Sequence, residues 1–257
     1  AAFAAIGGLL FGLDIGYISG VEEMVAFAID VNDGRPLSDA TQGVVTAMFS
    51  VGAVATSCPP VAAAVVHRLG RKLSIVAGAA AFCMGALVQG SASGLPQMHC
   101  GRLIAGASIG VLSTNVPVYQ SEVAAPHLRG ALVALYQLAI TIGISAAFWL
   151  NWAVQGMRTG WRVSILAQLV PGLILLLGML TMPRSPRWLV SKGRRDEARR
   201  ALEAIRGGDD ETVEYELSAM IADVTREAAT HSTWTDLFAP PRRRLLVLGV
   251  GLQLLQQ

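Results

Sequence analysis

The 257-residue sequence predicts an all-α fold: a polytopic bundle of membrane-crossing helices with a short cytoplasmic helical domain. Three observations carry this. Apolar residues make up 53% of the chain and charged residues 15%, whereas a soluble domain carries about 25% charged residues; mean hydropathy is +0.51. Six segments stay apolar over the ~20 residues needed to cross ~30 Å of hydrocarbon. The charges crowd into residues 183–244 and nearly vanish from the apolar blocks.

The first span, 1–20, is AAFAAIGGLLFGLDIGYISG, rich in glycine that lets helices approach closely, with one carboxylate, Asp14. An acidic loop follows at 21–41, with Glu22, Glu23, Asp30, Asp33 and Asp39. The second span, 42–66, contains Pro59 and Pro60, and HRLGRK turns the chain into the third, 73–93. The fourth, 98–120, carries Arg102 in GRLIAGASIG and a proline, Pro117. The fifth covers 131–152; the sixth, 161–182, has Arg162 at its outer mouth and Pro171 inside. Prolines are tolerated in spanning helices and mark bends beside cavities.

Together these give residues 1–182 as six spans, 183–244 as a linker and 245–257 as the start of a seventh span. The linker offers two amphipathic stripes, Ala198, Leu202 and Ile205, then Val213, Leu217, Met220, Ile221 and Val224, divided by GGDD. Acidic residues on their polar faces favour docking on the bundle ends over lying on lipid. The chain opens without Met and stops at LLQQ inside an apolar run, so a piece of a longer polypeptide is expected.

Lys and Arg orient the bundle, because cytoplasmic loops carry the excess. Arg68, Arg71, Lys72, Arg129 and every basic residue from Arg184 to Arg244 fall on one side, with only Arg35 and Arg158 in loops on the other. The 183–244 linker is therefore predicted cytoplasmic and the 21–41 loop external, in an integral, multi-pass protein, with the plasma membrane the expected location.

A charge deep in a bilayer costs several kcal/mol and takes a partner. Asp14 and Arg102 sit at matching depth on helices running in opposite directions and can meet. Two roles are open to the pair. An Asp beside an Arg exchanges pairing for protonation, a small proton relay; alternatively it is a static ion pair holding two helices in register. Neutral polar groups at depth, namely Gln137, Thr114, Asn115, Asn151, Gln253, Gln256 and Gln257, suit hydroxylated, uncharged ligands, because amides both donate and accept. Phe11, Trp149 and Trp152 could offer faces to a sugar ring. Taken singly, each amide also reads as an interhelical hydrogen bond and each Trp as an interfacial anchor.

At this point the motifs resemble those of the sugar porter family of the major facilitator superfamily. FGLDIGYISG resembles its first-helix motif, HRLGRK its turn between helices 2 and 3, and GRLIAGASIGVLSTNVPVYQSEVAAPHLRG its fourth-helix signature. QLAITIGI is similar to the helix-5 substrate motif, MPRSPRWLVSKGR to the stretch after helix 6, and GLQLLQQ to the start of helix 7. The resemblance implies the N-terminal six-helix half of the major facilitator fold, with a C-terminal half as its partner across a central site. It implies substrate contacts at Gln137, Ile140, Gln256 and Gln257, with Phe11 nearby, and proton coupling at Asp14 and Arg102. It also implies an inner charge latch of Arg68, Arg71, Glu122, Arg129 and Arg187. The implied function is transport of a monosaccharide or related polyol with a proton, by alternating access. A proton-independent facilitator and a transporter-like sugar sensor share these motifs.

Two positions depart from the family pattern. His67 stands where Asp or Asn is usual, and Arg184 where Glu is usual. Arg184 either weakens the latch or reaches out to lipid phosphates. Other function classes are excluded on residue grounds. Cys58, Cys83 and Cys100 lack metal-ligand spacing, the histidines His67, His99, His127 and His231 form no catalytic or ligand constellation, and no phosphate-binding glycine loop is present. No enzyme activity, metal, cofactor or nucleic-acid partner is expected; sugar, proton and lipid bilayer are.

Overall fold

In the computed structural model, residues 2–207, 210–229, 236 and 238–256 are described, and their regular structure is helical. After a 3-10 turn, Ala2–Ala5, come α1 (Ile6–Glu22), α2 (Val25–Val31), α3 (Asp39–Ser57), α4 (Pro59–Gly90), α5 (Leu95–Val123) and α6 (Arg129–Val154). Helices α7 (Gly160–Ala167) and α8 (Leu169–Thr181) form one interrupted rod, followed by α9 (Pro186–Ser191) and α10 (Arg195–Arg206). These make one compact unit, 1–208; a second, 209–257, holds α11 (Asp210–Ala229) and α12 (Pro240–Gln256).

Several predicted boundaries move, each for a local reason. The second span does not run unbroken from 42 to 66. Helix α3 ends at Ser57, Cys58 takes ψ 128°, and Pro59 and Pro60 begin α4, because proline suits a helix's first turn and breaks its interior. The turn at HRLGRK narrows to one residue, Gly70, whose φ of 75° and ψ of 167° interrupt α4; this conformation is open essentially to glycine. The 21–41 loop contains the helix α2, whose Phe27 packs edge-on against Trp161 with ring centroids 5.3 Å apart. Pro117, by contrast, lies inside α5 without ending it. In the linker, α10 forms where the first stripe predicts it and ends at Gly207 in the left-handed conformation, φ 85°.

The main seams are α1 against α6, α3 against α5, and α4 against α5, and glycine makes each of them. On α1, Gly8, Gly12, Gly16 and Gly20 recur every fourth residue, forming a continuous small-residue stripe. A Cβ at Gly12 would meet the Ile140 carbonyl oxygen at 2.0 Å, and one at Gly143 would meet that of Leu9 at 2.5 Å. In the α3–α5 seam the same holds for Gly106 against the Phe49 carbonyl, also at 2.0 Å. The backbones therefore touch, and dispersion replaces the hydrophobic drive that lipid cannot supply.

Among the described residues, α4, α6 and the joined α7–α8 rod are by themselves long and apolar enough to cross a membrane. Helix α1 has 17 residues, and α5 turns Arg102, Ser108, Asn115 and Gln120 inward. Two apolar cores fill the bundle. One gathers Leu10, Ile75, Phe82, Ile109, Tyr119 and Met179; the other gathers Tyr17, Val21, Phe27, Val45, Met98 and Trp161.

Candidate functional site

The stripe that brings α1 onto α6 leaves Asp14 on the inward side of α1, while the α3–α5 seam turns Arg102 toward it. Arg102 Nη1 lies 2.7 Å from Asp14 Oδ2, with both side chains at most 2% exposed. The same nitrogen donates to the Tyr17 hydroxyl at 3.1 Å, and Arg102 Nε donates to the Val45 carbonyl at 3.3 Å. The guanidinium stacks 4.7 Å from the Phe49 ring centroid and 5.6 Å from that of Tyr17. The Tyr17 hydroxyl donates to Gln89 Oε1, whose amide nitrogen donates to the Gly101 carbonyl at 3.3 Å. Asn151 Nδ2 donates to the Tyr17 carbonyl at 2.9 Å, tying α6 to this layer.

The two oxygens of Asp14 differ. Oδ2 holds the arginine, whereas Oδ1 is buried without a hydrogen-bond partner among the described residues. A proton added at Oδ1 would find an open lone pair. It would also leave Arg102 with two neutral acceptors and two ring faces. The arrangement can thus carry both the ionised and the neutral carboxyl.

At the end of the bundle holding Gly70, Glu122 of α5 is the acceptor of a second cluster. Arg71 Nη2 lies 2.9 Å from Glu122 Oε1, and Ser185 Oγ donates to Oε2 at 2.6 Å. Ser185 also caps α9, accepting from the Trp188 backbone N–H at 3.2 Å. The Trp188 ring fills the notch at Gly70, where a Cβ would meet it at 2.8 Å. Tyr119 donates to the Pro183 carbonyl at 2.9 Å, Lys72 to that of Leu180 at 2.8 Å, and Arg206 of α10 to that of Val123 at 3.3 Å. Helix α10 is docked on the bundle end, as its stripe predicts; Ile205 packs on the core.

Of the predicted latch residues, Arg71 and Glu122 meet directly. Arg68 and Arg129 are exposed and form no ion pair with Glu122 among the described residues, and Arg187 is half-buried on α9. The Arg184 guanidinium stacks over Trp188, 5.7 Å from the ring centroid. His67 shares a hydrogen bond with Lys192 Nζ at 3.1 Å.

The predicted ligand contacts are spread out. Gln137 is exposed on α6 and Phe11 half-buried at the edge of a core, while Ile140 is buried in the α1–α6 seam. Gln256 ends α12; Gln257 lies outside the described residues. Several amides and hydroxyls singled out in the sequence bond to helix backbone: Asn115 to Val111 at 2.8 Å, Thr114 to Gly110 at 3.1 Å, and Asn151 to Tyr17. Trp149 and Trp152 are 61% and 63% exposed, in edge-on contact with each other, as interfacial anchors would be. Sequence reasoning missed Tyr17, Gln89 and Ser185. Tyr17 had a signal, since it lies one turn from Asp14 on the same helix; Gln89 had one too, as an amide in an apolar span.

Apolar helices joined by glycine seams around a buried ion pair define a multi-pass integral membrane protein, and the arrangement is the N-terminal half of the major facilitator fold. The structure of the proton:xylose symporter XylE bound to 6-bromo-6-deoxy-D-glucose superposes with a TM-score of 0.79 at 25% identity, over 89% of this chain and 53% of XylE. The chain belongs to the sugar (and other) transporter family, whose model matches residues 1–257. It is 36% identical over 255 residues to the glucose transporter GlcP of Staphylococcus epidermidis, covering 98% of this chain and 54% of that protein. It is likewise 36% identical over 264 residues to the human proton myo-inositol cotransporter, covering 100% of this chain and 39% of that protein. The chain thus spans about half the length, or less, of these curated relatives.

Proposed function

We propose that the whole protein moves a monosaccharide or related polyol together with a proton across the plasma membrane, by alternating access of two helical halves. The observation that carries this reading is the buried Asp14–Arg102 pair, with one carboxylate oxygen engaged and the other open. Buried ionisable groups within a membrane bundle mark ion and proton pathways. The relatives named as symporters or cotransporters support the same reading.

In this reading residues 1–182 supply six spans and 183–244 a cytoplasmic linker, with the seventh span starting in 245–257. Asp14 takes the proton, and Arg102 holds it while ionised and falls back on Tyr17, Val45 and the rings when it is neutral. Gln137, Gln256 and Gln257 face the sugar, with Ile140 and Phe11 as apolar walls. Arg71 and Glu122 latch the cytoplasmic side, assisted by Ser185, with Arg68, Arg129 and Arg187 around them. Two halves rocking about a site at their interface is the expected mechanics for repeat-built transporters.

The test uses the full-length protein in proteoliposomes, with a pH-sensitive dye outside and a panel of sugars. External alkalinisation on adding one sugar, lost in Asp14→Asn while sugar exchange persists, is the expected result and names the substrate. Sugar entry without proton movement would refute coupling and leave a facilitator, with the pair serving only to hold α1 on α5.

A further inference from the structure

Asp14 is enclosed, so a proton reaching it from outside needs a route. On the outer side of Asp14, α1 continues for two turns to Glu22, ~12 Å along the axis at 1.5 Å per residue. Glu22 is half-buried, and its Oε1 is enclosed with no hydrogen-bond partner among the described residues. Two charges act on it: Arg102 of α5 attracts its carboxylate, and neighbouring Glu23 repels it. Glu23 is exposed and lines an open groove of about 590 Å³ with Asp30, Gln155 and Arg158. Of the neighbouring titratable groups, Asp30 is 3.2 Å from Arg162, and His99 of α5 has its Nε2 enclosed with no hydrogen-bond partner among the described residues. Glu22 lies beyond the first predicted span, 1–20, and burial raises its carboxyl to about 7, against the lowering effect of Arg102 and with a small raising effect of Glu23.

We propose that Glu22 is the outer proton station of this transporter, standing between the solvent groove and the Asp14–Arg102 site. The proposal rests on the proton-coupled reading given above. A hydronium ion entering from the groove gives its proton to the Glu22 carboxylate, forming an O–H bond and releasing water. That proton then leaves Glu22, which returns to carboxylate, and bonds Asp14 Oδ1, which becomes a neutral acid. No electrons are exchanged. Over ~12 Å the transfer runs through water to the layer where the Tyr17 hydroxyl and Asp14 share Arg102 Nη1. The direction has an electrostatic cause: Arg102 acts on both carboxyls, and once Asp14 is neutral its charge favours the ionised form of Glu22.

The test is the external-pH profile of sugar-driven proton uptake by the full-length protein in proteoliposomes. Glu22→Gln is expected to move the midpoint of that profile to lower pH by about one unit, a tenfold higher proton concentration, and Glu22→Asp to restore it. Infrared titration of the purified protein is expected to show a protonated-carboxyl band near neutral pH that Glu22→Gln removes. A purely structural Glu22 would change the rate without moving the midpoint. A wild-type midpoint in Glu22→Gln, with Asp14→Asn still abolishing proton uptake, would overturn the proposal and leave the coupled reading standing. Proton uptake that survives Asp14→Asn would overturn both.

Discussion

Removing one partner of the Asp14–Arg102 pair should be far more damaging than removing the second afterwards. The two groups are 2.7 Å apart and at most 2% exposed. With charge centres ~4 Å apart and an effective dielectric of about 20, their attraction is about 4 kcal/mol. Breaking a buried pair from one side costs about 3–5 kcal/mol, because the other charge is left in an apolar place. Asp14→Asn keeps the shape and leaves Arg102 with Tyr17 and the Val45 carbonyl, so its cost should be near the lower bound. Arg102→Met leaves a carboxylate with no cation and should be near the upper bound. The double variant should lose less than the sum of the two by about 2–4 kcal/mol. Reversible unfolding of the full-length protein in mixed micelles measures all four corners of the cycle. Losses that add within about 0.5 kcal/mol, the range expected of independent sites, would refute the pair as the organiser of this layer.

Three further outcomes are expected. Gly12→Ala places a Cβ 2.0 Å from the Ile140 carbonyl oxygen and should destabilise by roughly 1–3 kcal/mol, as overpacking does; Gly130→Ala, with nothing within 4 Å of its Cβ, should be nearly neutral, and equal unfolding midpoints would contradict the seam. Glu122→Gln removes the charge that Arg71 and Ser185 share and should raise thiol labelling of inner-side positions about fivefold, corresponding to roughly 1 kcal/mol; unchanged labelling would remove the latch. Gln137→Ala, at an exposed amide on α6, should raise the sugar KM about tenfold, a lost hydrogen bond's worth, and a KM within twofold of wild type would take Gln137 out of the sugar site.

Much of the fold was legible because lipid as a solvent leaves strong marks on sequence. A stretch such as 131–152 has few alternatives to a helix, since every backbone polar group must be satisfied within it, and α6 occupies Arg129–Val154. The pairing of Asp14 with Arg102 was legible for the same reason, because two opposite charges in apolar helices have nowhere else to go. Position 70 shows the limit. HRLGRK announces a turn, but the single residue that breaks the helix, and the indole of Trp188 that packs over it, depend on where α9 returns. Arg184 is a second case: its charge suggested repulsion or lipid, and its stacking on Trp188 follows from that same return of the chain.

By itself, then, the sequence determined the helical class, the approximate spans, the basic side of the bundle and the two charges that must meet. These depend on local composition and on the cost of polar groups in hydrocarbon, which act residue by residue. Only the tertiary structure decided that one Asp14 oxygen is engaged and the other open, and that Tyr17 and Gln89 complete the layer. It likewise decided that Ser185 joins Arg71 on Glu122, and that the Ile140 backbone lies against Gly12. Such facts depend on which helix faces touch and how closely. That is set by the glycine seams acting together, a contact between distant segments that no single stretch of sequence displays.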